Sequence, residues 1–162
     1  PVTETHIASG LKSVIWPARL TPLKGQLRDL LPKGHELWLD GGHNAHGATA
    51  LSIALDEMAR ARPAPLVLIV GMMNTRAPED FLAAFKGQAQ TVHGLTVPGE
   101  ENAHGAETIA AAARHIGFEA EARPSVEAAL KAAAATPGAR VVICGSLYLA
   151  GHVLHRNGTP PD

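Results

Sequence analysis

The sequence has little of what marks several large classes of protein. Its 162 residues include one cysteine, Cys144, which excludes an internal disulfide and suits a reducing compartment such as the cytoplasm. Aromatic residues make up 4%, too few for a surface that stacks nucleic-acid bases. Lys and Arg number 14 against 15 Asp and Glu, so no positive excess favours a nucleic-acid or membrane partner. No apolar run approaches the roughly 18 residues of a membrane span, and no signal peptide is visible.

What the sequence does contain is a regular alternation of short apolar runs with longer helical patterns. Strands are predicted at 13–20, 35–40, 65–73, 91–97, 118–122 and 140–146, and the first of them is predicted to be interrupted or to end at Pro17. Helices are predicted at 46–62, 77–87, 105–117, 125–138 and 147–158. This order predicts an α/β fold, with a Rossmann-like open, mostly parallel sheet and helices on both faces. The length predicts one domain over residues 1–162, with a flexible tail at 157–162.

Loops that follow the strands are the predicted place for chemistry. In open parallel sheets, ligands bind beyond the carboxyl ends of the strands. This rule selects four polar or glycine-containing loops, at 40–47, 71–77, 98–105 and 145–148.

The first of these loops, DGGHNAHG, is open to several interpretations. Asp40, His43 and His46 offer metal ligands, although zinc-binding helices more often space two histidines four residues apart. Residues 42–49 fit the outer frame of a phosphate-binding P-loop, but Ala48 stands where that motif needs its lysine. Neither pattern is complete, so the metal and P-loop interpretations are both weak.

A third interpretation makes the same loop a contact for a polar or anionic ligand. Asp40 would accept hydrogen bonds from sugar hydroxyls, while His43, Asn44 and the free N–H groups of the following helix would meet the ligand. The simplest alternative is purely structural, with Asn44 as the N-cap and His46 as part of the helix start.

Other polar residues also allow a functional and a structural interpretation. Arg19 could clamp a phosphate or be an ordinary surface arginine. Ser146 could bind a carboxylate together with the N–H groups that follow it, or could cap the last helix. Asn74 or Thr75 is predicted to cap the helix at 77–87, and Cys144 is predicted to be a buried core residue.

Three segments in order carry a resemblance to a known family. They are WPAR at 16–19, DGGHNA at 40–45 and GSLY at 145–148. This order resembles the C-terminal domain of the folylpolyglutamate synthase/dihydrofolate synthase family of the Mur ligase superfamily, which shows W-P-G-R, D-G-A-H-N-P and G-S-L-Y. Ala45 replaces the proline of the second motif. Residues 74–76, Asn-Thr-Arg, stand where the family has an acidic-Lys-acidic triplet, so no role is carried over to that loop.

The resemblance implies an ATP-dependent amide ligase that adds glutamate to a folate or dihydropteroate through an acyl phosphate. It implies that Arg19 contacts the ATP phosphates and Asp40 the ribose or nearby nucleotide groups. His43 and Ser146 would position the incoming glutamate, and Asn44 would support their loop. No metal ligand and no complete catalytic centre are expected within this chain.

The same resemblance implies that further parts of the enzyme lie outside this sequence. ATP and Mg2+ would be held mainly by a P-loop domain preceding this one, so the isolated chain is expected to be inactive. The expected partners are that P-loop domain and small-molecule substrates, in a cytoplasmic monomer. Three alternatives stay open, namely a Mur-type peptide ligase domain, a non-catalytic nucleotide- or anion-binding module, and the metal-binding protein considered above.

Overall fold

The computed structural model describes residues 18–160. Its six strands are β1 (Thr21–Pro22), β2 (Glu36–Leu39), β3 (Leu66–Gly71), β4 (Ala89–Leu95), β5 (Glu119–Ala122) and β6 (Arg140–Cys144). Its five α-helices are α1 (Ala45–Ala61), α2 (Pro78–Leu82), α3 (Ala106–His115), α4 (Val126–Ala133) and α5 (Leu147–Arg156). Short 3-10 turns occupy Arg28–Leu30 and Ala83–Phe85.

The six strands form one sheet in the order β1-β2-β6-β3-β4-β5. All neighbours pair in parallel except β1, which lies antiparallel to β2. The last strand, β6, therefore inserts between β2 and β3. The predicted α/β fold with an open, mostly parallel sheet is confirmed, and the insertion brings the loop after β6 next to the loop after β2.

Two hydrophobic cores lie on opposite faces of the sheet, as alternate strand residues require. On one face, Leu39, Ile69 and Ile143 pack with residues of α4 and α5. On the other face, Leu68 and Val142 pack with residues of α1, α2 and α3. Every residue of β3 and β6 is buried, which explains why their apolar runs are continuous rather than alternating.

The strand predicted at 13–20, with an interruption or end at Pro17, does not continue beyond that proline. Residues 18–20 form a turn and bend, and the strand begins only at Thr21. Ala18 and Leu20 have φ of 63° and 44°, in the left-handed region that an extended strand cannot contain. Residues 13–17 of that predicted strand lie outside the described residues.

The helix ends also differ from their predicted positions. α4 stops at Ala133 and not at 138, and α5 stops at Arg156. Asn157, where the flexible tail was predicted to begin, is buried instead. Its Oδ1 accepts a hydrogen bond from Leu27 N at 3.1 Å and its Nδ2 donates to Lys24 O at 2.6 Å. The end of α5 is thereby tied to the segment that precedes β2.

A cluster of charged side chains lies at the amino ends of β2 and β6. Glu36 accepts hydrogen bonds from Arg140 Nε at 2.6 Å and from Trp38 Nε1 at 3.0 Å, and it also pairs with Arg62. The Arg140 side chain is only 4% exposed, so its charge depends on the single carboxylate of Glu36 for neutralisation.

Gly94 allows α3 to pack directly against β4. A Cβ at this position would overlap with the carbonyl oxygen of Ala106 and would lie 3.1 Å from Ala110 N. We expect Gly94→Ala to lower the free energy of unfolding by about 1–3 kcal/mol, because backbone atoms of the helix must move. The loss is measured as a lower midpoint of urea unfolding, with the unfolding of the 162-residue chain monitored by circular dichroism.

Gly151 provides the matched control for that substitution. It lies in α5, is exposed, and a Cβ there would meet no atom within 4 Å. Gly151→Ala is therefore expected to raise stability by about 0.5–1 kcal/mol through helix propensity. Equal midpoints for the two variants would contradict the close approach of α3 to Gly94.

A helix that crosses a membrane must be both long and apolar. Within residues 18–160, no helix combines the necessary length with the necessary apolar character.

Candidate functional site

Polar loops meet beyond the carboxyl ends of the central strands. Because β6 lies between β2 and β3, Gly145 follows β6 directly beside the glycines that follow β2. Gly145 N donates a hydrogen bond to Gly42 O at 3.0 Å, which joins the two loops. Gly145 has φ of 105°, and a Cβ there would lie 2.7 Å from Gly71 O, so a side chain is excluded on two grounds.

Asp40 joins the β2 loop to the segment that carries Arg19. Its Oδ1 accepts a hydrogen bond from Gly42 N at 2.7 Å, and its Oδ2 accepts one from Leu20 N at 2.8 Å. The carboxylate therefore holds the backbone at Gly42, in its own loop, and at Leu20, in the segment that carries Arg19. Its role as a nucleotide contact stays a prediction.

Arg19 lies in the turn that precedes β1. The left-handed residues Ala18 and Leu20 flank it, and Gly41 N donates a hydrogen bond to Ala18 O at 2.7 Å. Arg19 is exposed and, with Gly42, lines a cavity of about 240 Å³. We call this space the arginine cavity.

His43 lies where two cavities of the site meet. Its Nδ1 lies 3.2 Å from Gly41 O, and because a carbonyl oxygen can only accept, Nδ1 carries the proton. In the neutral ring, Nε2 then carries a lone pair and can accept a hydrogen bond. His43 lines the arginine cavity and also a second cavity of about 330 Å³.

Ser146 lies at the base of this second cavity, which we call the serine cavity. It is the N-cap of α5, and its Oγ accepts hydrogen bonds from Tyr148 N at 3.1 Å and Leu149 N at 3.4 Å. The structural interpretation of Ser146 as a cap is thus confirmed. Ser146 also lines the cavity, and its role in positioning glutamate stays a prediction.

Asn44 is the N-cap of α1, as its structural interpretation predicted. Its Oδ1 accepts a hydrogen bond from Gly47 N at 2.8 Å. His46 lies in the first turn of this helix and is exposed. Asn44 also lines the arginine cavity, and its role in supporting the loop that carries His43 stays a prediction.

The predicted cap of the helix after β3 is wrong. Neither Asn74 nor Thr75 caps α2, which begins after Ala77 with Pro78 and has no side-chain cap. Pro78 lacks an N–H group, so one donor that a cap would satisfy is absent. Thr75 lines the serine cavity, whereas Arg76 lines a third cavity of about 410 Å³ that His43 and Asn44 also line.

The metal-binding interpretation gains no support from the geometry. Both oxygens of Asp40 already accept backbone hydrogen bonds. In the part of the chain from 18 to 160, no three His, Cys, Asp or Glu side chains form a group that could hold a metal ion.

Cys144 is a core residue and not part of the site chemistry. It is 1% exposed, as predicted. Burial raises the pKa of its thiol far above the usual range, and the nearby charge of Asp40 adds to this. The thiol therefore stays protonated and unreactive.

Several lining residues had no predicted role. Leu147 separates the two cavities and lines both, and it is 58% exposed. Tyr148, which is 59% exposed, and Asn102 line the serine cavity. The GSLY segment contains Leu147 and Tyr148. Asn102 lies in the loop at 98–105, which its place after a strand had selected, but no motif singled out this residue.

The fold agrees with the comparison to known families. Residues 27–147 match the family described as Mur ligase, glutamate ligase domain. The match covers well over half of the chain, and the chain therefore belongs to this family. A comparison with curated proteins found no significant match.

Solved structures of folylpolyglutamate synthases share the fold. The enzyme of Mycobacterium tuberculosis, complexed with ADP and AMPPCP, is 24% identical with a TM-score of 0.77, over 99% of this chain and 36% of that one. The Thermotoga maritima enzyme is 27% identical with a TM-score of 0.70, over 98% and 34%. The bifunctional folylpolyglutamate synthase/dihydrofolate synthase of Yersinia pestis, with AMPPNP and Mn ion, is 22% identical with a TM-score of 0.73, over 96% and 35%. The chain thus spans about a third of the length of each.

Proposed function

We propose that this chain is the C-terminal domain of an ATP-dependent ligase that joins glutamate to a folate or dihydropteroate. The observation that carries the proposal is the pair of adjoining cavities, one lined by Arg19 and the other by Ser146, with His43 shared between them. Membership of the glutamate ligase domain family supports it. A solved structure of a bifunctional folylpolyglutamate synthase/dihydrofolate synthase with Mn, AMPPNP and L-glutamate bound supports the same substrate classes.

The proposed reaction needs two substrates to meet at one carboxylate. A carboxylate is a poor acyl donor until one of its oxygens becomes part of a phosphate leaving group. Transfer of the γ-phosphoryl group of ATP gives ADP and an acyl phosphate. The amine of glutamate then attacks the acyl carbon, and inorganic phosphate leaves as the amide forms.

The residues of this chain would serve the two sides of that reaction. Arg19 binds the phosphates as a planar cation, and Asp40 holds the Arg19 segment and accepts from the ribose. Ser146 and His43 position glutamate, with Nε2 of His43 able to accept a hydrogen bond from its amino group. Asn44 fixes the loop between the two sides.

The remaining parts of the site belong to a P-loop domain of the same polypeptide. Arg19 suits a phosphate, whereas residues 18–160 contain no cluster of acidic side chains for Mg2+. The metal that accompanies ATP would therefore be held mainly by the P-loop domain. We propose a cytoplasmic monomer in which this domain closes over the bound nucleotide and excludes water from the acyl phosphate.

The proposal is tested by comparing the full-length protein with the isolated 162-residue chain. With MgATP, glutamate and either dihydropteroate or a reduced folate, we expect the full-length protein to form one amide per phosphate released. The isolated chain is expected to do neither. Enzyme-like ligation by the isolated chain would contradict the proposal that a P-loop domain outside this chain holds most of the ATP and Mg2+ contacts. A full-length protein that binds ATP but ligates nothing would favour a non-catalytic nucleotide-binding module.

A further inference from the structure

The serine cavity has a second wall that the proposed function does not use. Ser146 and His43 come from the loops after β6 and β2. On the other side, Thr75 comes from the loop after β3 and Asn102 from the loop after β4. Since β3 lies between β6 and β4 in the sheet, these two residues are on the side of the cavity away from β2.

The lining of the serine cavity combines apolar surface with a few neutral polar groups. The eight residues that line the serine cavity include no lysine, arginine, aspartate or glutamate. Thr75 and Asn102 are both exposed, and within residues 18–160 neither side chain has a hydrogen-bond partner. Arg76, the neighbouring cation, does not line the serine cavity and instead lines the 410 Å³ cavity with Glu79 and Asp80. A ligand in the serine cavity would therefore meet neutral donors on this wall.

The wall is held in place before any ligand arrives. Asn74 N donates to Asn102 O at 2.8 Å, and His104 N donates to Met72 O at 2.8 Å. The ring of His104 adds a third tie, with Nε2 donating to Arg76 O at 2.8 Å. These bonds join the loops after β3 and β4, so little ordering is needed when a ligand binds.

We propose that Thr75 and Asn102 bind the side-chain carboxylate of the incoming glutamate and so set the preference for an acidic amino acid. The inference rests on the proposed ligase function and on Ser146 and His43 engaging the amino-acid backbone end. The hydroxyl of Thr75 and the amide N–H of Asn102 are donors, as a carboxylate requires. Neutral donors to a carboxylate form charge-assisted bonds without a buried cation to desolvate.

The test uses the full-length protein and the variants Thr75→Val and Asn102→Leu, which keep size and remove the donors. Each is expected to raise KM for glutamate about tenfold or more, while KM for ATP stays within about twofold. L-norvaline, whose side chain ends in a methyl group, is the second amine. The ratio of kcat/KM for glutamate to that for norvaline is expected to fall about tenfold or more in both variants.

Two control variants test whether the changes in KM and selectivity come from the lost donors or from a general disturbance of the structure. Thr75→Ser keeps the hydroxyl and is expected to retain the wild-type KM and selectivity. Thr108→Val makes the same change on the exposed side of α3, outside both cavities, and is expected to change neither.

The outcomes separate this inference from the proposed function. A wild-type protein that forms no amide from glutamate would overturn the proposed function and this assignment together. Normal ligation, with KM and selectivity unchanged in both Thr75→Val and Asn102→Leu, would overturn the assignment alone. Equal rises in KM for ATP and glutamate would also overturn it, because they would indicate a general disturbance of the loops.

Discussion

Replacing Asp40 with alanine in the full-length protein is expected to lower kcat/KM for ATP by about 100-fold. The carboxylate accepts hydrogen bonds from Leu20 N and Gly42 N, and it thereby holds the Arg19 segment against the glycine loop. Alanine removes both acceptors and a charge beside the arginine cavity. Arg19→Ala is expected to cause a loss of similar size. Steady-state rates with ATP varied at saturating glutamate measure both effects.

The two substitutions should not act independently. If Asp40 positions Arg19, the loss in the double variant will be well below the product of the two single losses. Asp56→Ala and Arg60→Ala are matched controls, because they break an exposed i,i+4 ion pair on α1 and should change kcat/KM by less than about twofold. Unchanged kinetics in both Asp40→Ala and Arg19→Ala would refute their assigned roles.

The largest loss of stability is expected from Glu36→Leu, which leaves Arg140 buried without its carboxylate. Removing one partner of a buried ion pair costs about 3–5 kcal/mol, because the remaining charge is neither solvated nor neutralised. Arg140 is 4% exposed and Glu36 18% exposed, so water reaches neither side chain freely. Urea unfolding of the 162-residue chain at neutral pH measures the loss.

The same pair gives a defined pH dependence. Burial alone would raise the pKa of the Glu36 carboxyl, but hydrogen bonds from Arg140 and Trp38 and the charges of Arg140 and Arg62 outweigh it and hold the pKa below its usual value. The stabilisation is therefore complete above the unfolded-state pKa, about 4.3, and is lost as pH falls through the lower folded-state pKa. The stability difference between wild type and Glu36→Leu should stay constant above about pH 6 and shrink below about pH 4.

A double variant identifies the origin of the effect. In Glu36→Leu with Arg140→Met, both charges are replaced by apolar groups, and most of the lost stability should return. Breaking the exposed pair with Asp56→Ala should cost less than about 1 kcal/mol. A double variant no more stable than Glu36→Leu would show that packing, and not the unpaired charge, causes the loss.

The periodicity of the sequence predicted the alternating elements well, because each strand and helix buries its own apolar residues. It could not predict the order of the strands. The insertion of β6 between β2 and β3 depends on contacts between residues about 100 positions apart, such as Leu39 with Ile143. Pro17 indicated an interruption or end of the first strand, but the left-handed backbone at Ala18 and Leu20 depends on long-range hydrogen bonds from Gly41 N and to Asp40.

Within the site, local roles were easier to predict than distant ones. Asn44 and Ser146 were recognisable as caps, because a cap is defined by its own position before a helix. The bond between Asp40 and Leu20 spans 20 residues, and Asn102 reaches the serine cavity only through the pairing of β3 with β4. Neither relationship leaves a pattern in neighbouring residues.

The hydrogen bond between Gly145 and Gly42 has a mechanical consequence. It fastens the loop of Ser146 to the loop of Asp40 and His43, so the two cavities share one rigid platform. If the chain is part of a longer polypeptide, as we propose, a rotation of this domain would carry the arginine cavity and the serine cavity together. Any hinge for that rotation would then control the nucleotide side and the amino-acid side at the same time.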